Sequence, residues 1–85
     1  MYQYVYVLKS EKDGMNYVGY TNNLKERLKC HNEGRVQSTK QRRPLTLVYF
    51  EGCLSQNDAV KREKYLKTAW GKRYIKNRLT GYLTG

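Results

Sequence analysis

Proline occurs once in the 85 residues, histidine once and cysteine twice, and 7 acidic side chains face 17 Lys plus Arg. Cys30 and Cys53, with no CxxC pair and with His31 as the single histidine, cannot assemble a disulfide framework or the usual structural zinc set. Both read as reduced thiols. No apolar run approaches the roughly 18–20 residues of a membrane span, and the start MYQYVYVLKS lacks a signal peptide's basic region and cleavage site. The expectation is a soluble, cytoplasmic protein. A chain this short fits one domain, residues 1–85, and buries only about 60–65% of its unfolded surface. That excludes a deep, enclosed cofactor cavity and a nucleotide-binding α/β sheet of ordinary size. What the chain has in excess is positive charge and tyrosine.

The charge is uneven. Residues 1–34 carry five basic and four acidic side chains, whereas residues 35–85 carry twelve and three. Arg35, Lys40, Arg42 and Arg43 form a run without an acid, and Lys61, Arg62, Lys64, Lys67, Lys72, Arg73, Lys76 and Arg78 stand against Glu63 alone. Such a field draws phosphate backbones by counterion release, a salt-sensitive and sequence-indifferent attraction. Arg35, Lys40, Arg42, Arg43, Lys61, Lys64, Lys67, Lys72 and Arg73 are the candidate nucleic-acid contacts. A solvated, solubilising face is the bland alternative. A membrane surface fits poorly, because residues 61–78 lack a broad Leu/Phe face.

Tyr2 to Leu8 alternates, with Tyr2, Tyr4, Tyr6 and Leu8 on one side and Gln3, Val5 and Val7 on the other, and predicts a strand. Asp13-Gly14 supplies a turn, and Tyr17 to Tyr20 resumes extended structure as a hairpin. Asn23 with Glu26 resembles a capping box and starts a helix over 23–33 that Gly34 closes. The basic stretch 35–44 has too little apolar surface to order itself and reads as a mobile loop. Leu45 to Phe50 predicts a third strand, buried in part on both faces. Ser55 starts a second helix running to Trp70, where Gly71 interrupts it, and a short helix over 72–79 follows. The architecture is α+β: a small three-stranded antiparallel sheet flanked by helices, in the order ββαβα(α).

Three features bear on chemistry. Hairpin tyrosines usually make cross-strand contacts, with base stacking the minority use. Arg27 and His31, four apart on the first helix, share a face beside Leu24 and Leu28 and can converge on one anion, Arg as a fixed fork and His as a proton carrier. A surface Arg and a His at the helix C-terminus are the plain alternative. Glu63 falls on the apolar face defined by Ala59, Val60, Leu66 and Trp70, where an unpaired carboxylate is costly. It pairs with Lys67 at i,i+4, or ligates Mg²⁺, which often takes one or two carboxylates and completes its shell with water and phosphate.

Together these residues carry a resemblance. Tyr4-Val5-Tyr6, then Tyr17-Val18-Gly19, then Arg27 and His31, then a glutamate-bearing helix, in this order, resemble the GIY-YIG nuclease family. The similarity is greatest to small stand-alone bacterial members related to the nuclease domain of the UvrC excision-repair protein. It covers nearly the whole chain, including YVGYTNNLKERLKCHNEG and AVKREKYLK. Tyr4 replaces the glycine of the first motif, Val5 and Val18 replace isoleucines, and Tyr20 stands where some relatives have a lysine. The resemblance implies an α+β domain and a one-metal phosphodiesterase, with Tyr6 and Tyr17 as site tyrosines, Arg27 on phosphate, His31 matching a histidine of many members, and Glu63 as the protein ligand of one Mg²⁺ or Mn²⁺. The expected function is a metal-dependent endonuclease acting on nucleic acid, DNA in the first instance, with low intrinsic sequence specificity and a protein partner as one source of direction. A non-catalytic nucleic-acid-binding module and a scaffold docking on an acidic protein are the competing readings.

Overall fold

In the computed structural model, which describes residues 1–84, strand β1 (Gln3–Ser10) lies between β2 (Asn16–Thr21) and β3 (Leu45–Cys53), antiparallel to both. A central strand with helices on both faces buries both sets of its alternating side chains. Tyr6 and Leu8 form one core with Leu45, packed by Tyr17 of β2 and by Leu24 and Leu28 of α1 (Leu24–Asn32). Val5 and Val7 enter the opposite core with Ala59 and Leu66 of α2 (Gln56–Leu66) and Ile75 of α3 (Ala69–Arg78). A five-residue helix, α4 (Thr80–Thr84), follows. The α+β fold with a three-stranded antiparallel sheet is as expected, and the sheet sorts its two cores to different helices.

The third strand is buried in part on both faces, as expected: Leu45 and Leu47 meet the α1-side core, while Val48, Tyr49 and Cys53 meet the other. It is nevertheless an edge strand whose Phe50 remains 51% exposed, and β1, in the middle of the sheet, is the more deeply buried of the two. That difference comes from position in the sheet, which local pattern does not encode. β3 also carries an extra residue: Leu47 pairs with Leu8 and Tyr49 with Val7, leaving Val48 as a bulge. Leu47 therefore joins the α1-side core, while Val48 and Tyr49 both pack on the α2–α3 side.

Helix ends follow from local chemistry. The Asn23 side chain accepts the Glu26 amide at 3.1 Å to start α1. Gly34, at φ 80, stops it: the Gly34 amide donates to the His31 carbonyl and the Arg35 amide to the Cys30 carbonyl, the paired bonds of a Schellman end. The second helix ends at Leu66, earlier than Trp70. Thr68 accepts the Gly71 amide at 3.2 Å and caps α3, and Gly71 lies so close to the Tyr65 carbonyl and Leu66 that a side chain there would collide. Trp70 thus belongs to the first turn of α3, is 68% exposed, and shares no helix face with Glu63.

Residues 35–44, expected to be mobile, are folded onto the domain. Val36 and Thr39 are buried, and a 3-10 turn occupies Lys40–Arg42. Ser10 donates to the Arg42 carbonyl at 2.7 Å, and Arg42 reaches back to the Asp13 carboxylate at 3.2 Å and the Met15 carbonyl at 3.0 Å. Polar ties to the β1–β2 turn supply the order that apolar burial within the segment alone could not.

Candidate active site

The site begins with a strand residue that needs space. Tyr6 of β1 pairs with Gly19 of β2, and its phenol crosses that glycine. A Cβ at Gly19 would stand 2.5 Å from the Tyr6 hydroxyl oxygen, so glycine there is what lets the ring lie flat against β2. The Tyr6 hydroxyl then reaches α1, where it shares a 2.8 Å hydrogen bond with His31 Nε2. His31 Nδ1 shares another 2.8 Å bond with the Thr39 hydroxyl, and Arg27 Nε donates to the Tyr6 oxygen at 3.4 Å. The direction that also gives the buried Tyr6 proton an acceptor is the one in which Arg27 donates to Tyr6, Tyr6 O–H donates to Nε2, and Nδ1–H donates to Thr39; in the other tautomer the Tyr6 oxygen takes two donors and its own proton has no partner among these groups. Tyr6, His31 and Thr39 are fully buried, which is tolerable only because each polar atom is paired.

Burial sets the protonation states. Desolvation, reinforced by the Arg27 charge, holds the His31 imidazolium down to a pKa of about 4, so the ring is neutral at pH 7. Burial likewise raises the Tyr6 phenol above its usual value; the Arg27 hydrogen bond opposes that rise without cancelling it. Tyr6 therefore stays protonated. Arg27 is held more firmly in its charged form, first by the bond to Tyr6. No carboxylate pairs with Arg27 among the described residues. Its guanidinium is left with free donors beside the tyrosines.

Tyr17 completes the group from β2. Its half-buried ring packs edge-on against His31 with centroids 5.1 Å apart and lies 6.4 Å from Tyr6. Its hydroxyl has no hydrogen-bond partner among the described residues, so it is open to solvent or a ligand. Tyr20 points the other way and packs on the α2–α3 core, away from these groups.

Tyr6, Tyr17, Arg27 and His31 thus converge on the α1 side, whereas Glu63 comes from α2. Its side chain is 17% exposed and pairs with Lys67 Nζ at 3.6 Å, and its charge is felt at Tyr6, where it is the last of five influences after burial. Among the described residues no three His, Cys, Asp or Glu side chains gather as a metal-binding cluster. A single shielded carboxylate whose partner is an exposed, flexible lysine nevertheless suits Mg²⁺, which needs few protein oxygens.

The basic candidates divide. Lys61, Lys64, Lys67, Lys72 and Arg73 are exposed on α2, its C-cap and α3, with Arg73 stacked over Trp70 at 5.4 Å. Arg42 is spent on Asp13 and Met15, Arg43 donates to the Lys40 carbonyl and packs on Gly34, and Arg35 pairs with Glu33. The 35–43 run serves the fold more than its count of charges suggests. Thr39 went unnoticed in the sequence: a threonine in a basic loop carries no signal that it will orient an imidazole eight residues away. The Arg62–Glu51 clamp was also missed. Arg62 Nε contacts both Glu51 oxygens at 3.1 and 3.0 Å and its guanidinium lies over Tyr74 and Tyr65, while Tyr49 donates to the same carboxylate at 3.0 Å.

Comparison with known proteins places this arrangement. A UPF0213 protein of Clostridium perfringens is 48% identical over 65 residues, covering 75% of this chain and 69% of that protein. One from Staphylococcus haemolyticus is 46% identical over 66 residues, covering 76% and 79%. The solution NMR structure of a UPF0213 protein from Bacillus halodurans superposes with a TM-score of 0.55 at 32% identity, covering 88% of this chain and 82% of that one. The family model of the GIY-YIG catalytic domain matches residues 2–80, a span containing the two tyrosines, Arg27, His31 and Glu63. The chain belongs to the GIY-YIG family, as a small member akin to the UPF0213 proteins.

Proposed function

We propose that the chain is a metal-dependent endonuclease that hydrolyses DNA phosphodiester bonds with little sequence preference. The observation that carries this reading is Arg27: a guanidinium with free donors and no carboxylate partner among the described residues, fixed beside one buried and one open tyrosine. Phosphodiester hydrolysis needs charge stabilisation on the non-bridging oxygens, an oriented water and help for the departing oxygen. Arg27 supplies the first as a planar two-pronged donor. Tyr17, the tyrosine with a free hydroxyl, orients the attacking water. His31 is too deeply buried to reach that water; neutral at pH 7, it accepts the Tyr6 proton bond and so positions Tyr6 and, through it, Arg27. Glu63 would hold a Mg²⁺ or Mn²⁺ ion, which when bound stabilises negative charge on the leaving oxygen. The exposed lysines of α2 and α3 hold the backbone without reading sequence, so substrate choice rests on nucleic-acid structure or on a protein partner.

The test compares wild type, Glu63→Gln and Arg27→Ala on single-stranded, duplex and branched DNA with Mg²⁺ or Mn²⁺. Wild type should cut, and each variant should lose about 10²–10³-fold in rate, the scale of removing one transition-state charge partner. Cleavage undiminished in both variants would refute the assignment.

A further inference from the structure

The same face of the sheet carries an aromatic row that the cluster above does not use. Tyr2, Tyr4 and Phe50 stand in line, with centroids 6.4 Å apart for Tyr2 and Tyr4 and 6.2 Å for Tyr4 and Phe50. Tyr2 and Phe50 remain about half exposed, at 54% and 51%. Phe50 is the cross-strand partner of Tyr6, and Tyr4 precedes Tyr6 by two residues, so the row ends at the site. Between this row and α1 runs an open groove of about 570 Å³, floored by Leu24, Leu28 and Leu47 and rimmed by Tyr4, Phe50, Asn22 and Lys25.

The chemistry of the groove selects its occupant. Two aromatic rings, set edge to face at 66°, and three leucines offer an apolar bed on which Phe50 is half exposed, the Asn22 amide offers a donor and an acceptor, and the one charge on the rim is positive. No acid lines it. A second copy of a chain with net charge +10 would meet like charge across this face. An unpaired nucleobase on an anionic backbone meets every feature: stacking for the ring, an amide for its edge, Lys25 for its phosphate.

We infer that this groove is a nucleobase subsite that stacks an unpaired base of the strand being cut, next to the scissile phosphate. The inference rests on the nuclease reading and narrows it to substrates that present a single-stranded or frayed segment, because bases inside a duplex offer no free ring face.

The experiment measures binding of a single-stranded oligothymidylate and a blunt duplex to the full chain without divalent metal, beside cleavage with Mn²⁺. Phe50→Ala and Phe50→Leu should each lower the ratio of single-strand to duplex affinity about 10-fold, the scale of losing one stacked base. Phe50→Trp in a Trp70→Phe background should keep the ratio and show fluorescence quenching on the single strand. An unchanged ratio in both truncations overturns the subsite even if wild type cuts DNA. A lowered ratio with no wild-type cleavage keeps the groove as a base-stacking site but removes the nuclease reading and, with it, the place beside a scissile phosphate. A concentration-dependent dimer in sedimentation that Phe50→Ala abolishes assigns the face to self-association and also overturns the subsite. No binding to either oligonucleotide at low salt removes both.

Discussion

Two tyrosine–arginine clusters lie on opposite faces of one three-stranded sheet, and they differ by a carboxylate. On the α2–α3 side Arg62 meets both oxygens of Glu51, and Tyr49 donates to the same carboxylate. Burial, then bonds to Tyr74 and Glu51, push the Tyr49 hydroxyl far up, so that cluster is closed and self-neutralised. On the α1 side Arg27 faces Tyr6 with no acid paired to it among the described residues, and a neutral imidazole takes the place of the carboxylate. A guanidinium is satisfied by an anion or by water; where the protein supplies the carboxylate the residue braces the fold, and where it does not the charge is left open to solvent or to a ligand.

The first way to test that contrast is through pH, because only the α1-side cluster depends on a buried neutral imidazole. The folded pKa of His31, about 4, lies below the unfolded value of 6.5. Between these values the unfolded chain binds the additional proton, so stability rises with pH through the window and is lost as pH falls from 6.5 toward 4. The loss from this one group should be on the order of 3 kcal/mol by pH 4. Urea unfolding of wild type and His31→Gln at several values between pH 7.5 and 4.5 reads it: the variant should have the shallower dependence. Equal slopes would mean that His31 is already hydrated in the native state.

The second is to give Arg27 the acid it lacks. Cys30, three residues on along α1 and half-buried, lies on the same side of the helix as Arg27. Cys30→Glu places a carboxylate on the same helical face and should make the α1 cluster resemble the other. Thermal stability should hold, while DNA cleavage falls about 10–100-fold as the guanidinium is diverted from phosphate. Full activity in this variant would show that Arg27 is not the phosphate ligand.

How far the sequence foretold this contrast depends on the range of each interaction. The periods of β1, β2 and α1 were legible and put Arg27 and His31 on one helix face, but Tyr6 and Tyr17 stood out from the other hairpin tyrosines only through the order of motifs that carries the family resemblance. The caps at Asn23 and Ser55 and the stop at Gly34 were legible for the same local reason as the periods. Thr39 was not: its role depends on residues 35–44 folding back through Ser10, Arg42 and Asp13, contacts up to 32 residues apart. Nor was Arg62–Glu51, since charge counting along α2 could not see an acid on β3. The end of α2 was misplaced because Thr68 acts as a cap only where Gly71 allows the two helices to meet closely.

The smallest expected effect comes from neutralising the closed cluster. Glu51→Gln keeps the shape at the β3 edge and one acceptor for Tyr49, but removes the charge that Arg62 grips. Both side chains of the pair are 31% exposed, so water recovers part of the loss. The cost should be about 1 kcal/mol, between an exposed ion pair and a fully buried one, read as a lower urea midpoint with the slope unchanged. Cleavage should stay at the wild-type rate, because α2 remains docked through Ala59 and Leu66 and Glu63 keeps its place. Should Glu51→Gln instead alter cleavage while leaving the midpoint where it was, the freed Arg62 would be reaching substrate. The line between a bracing arginine and a binding arginine would then have to be drawn by exposure and not by the presence of a carboxylate.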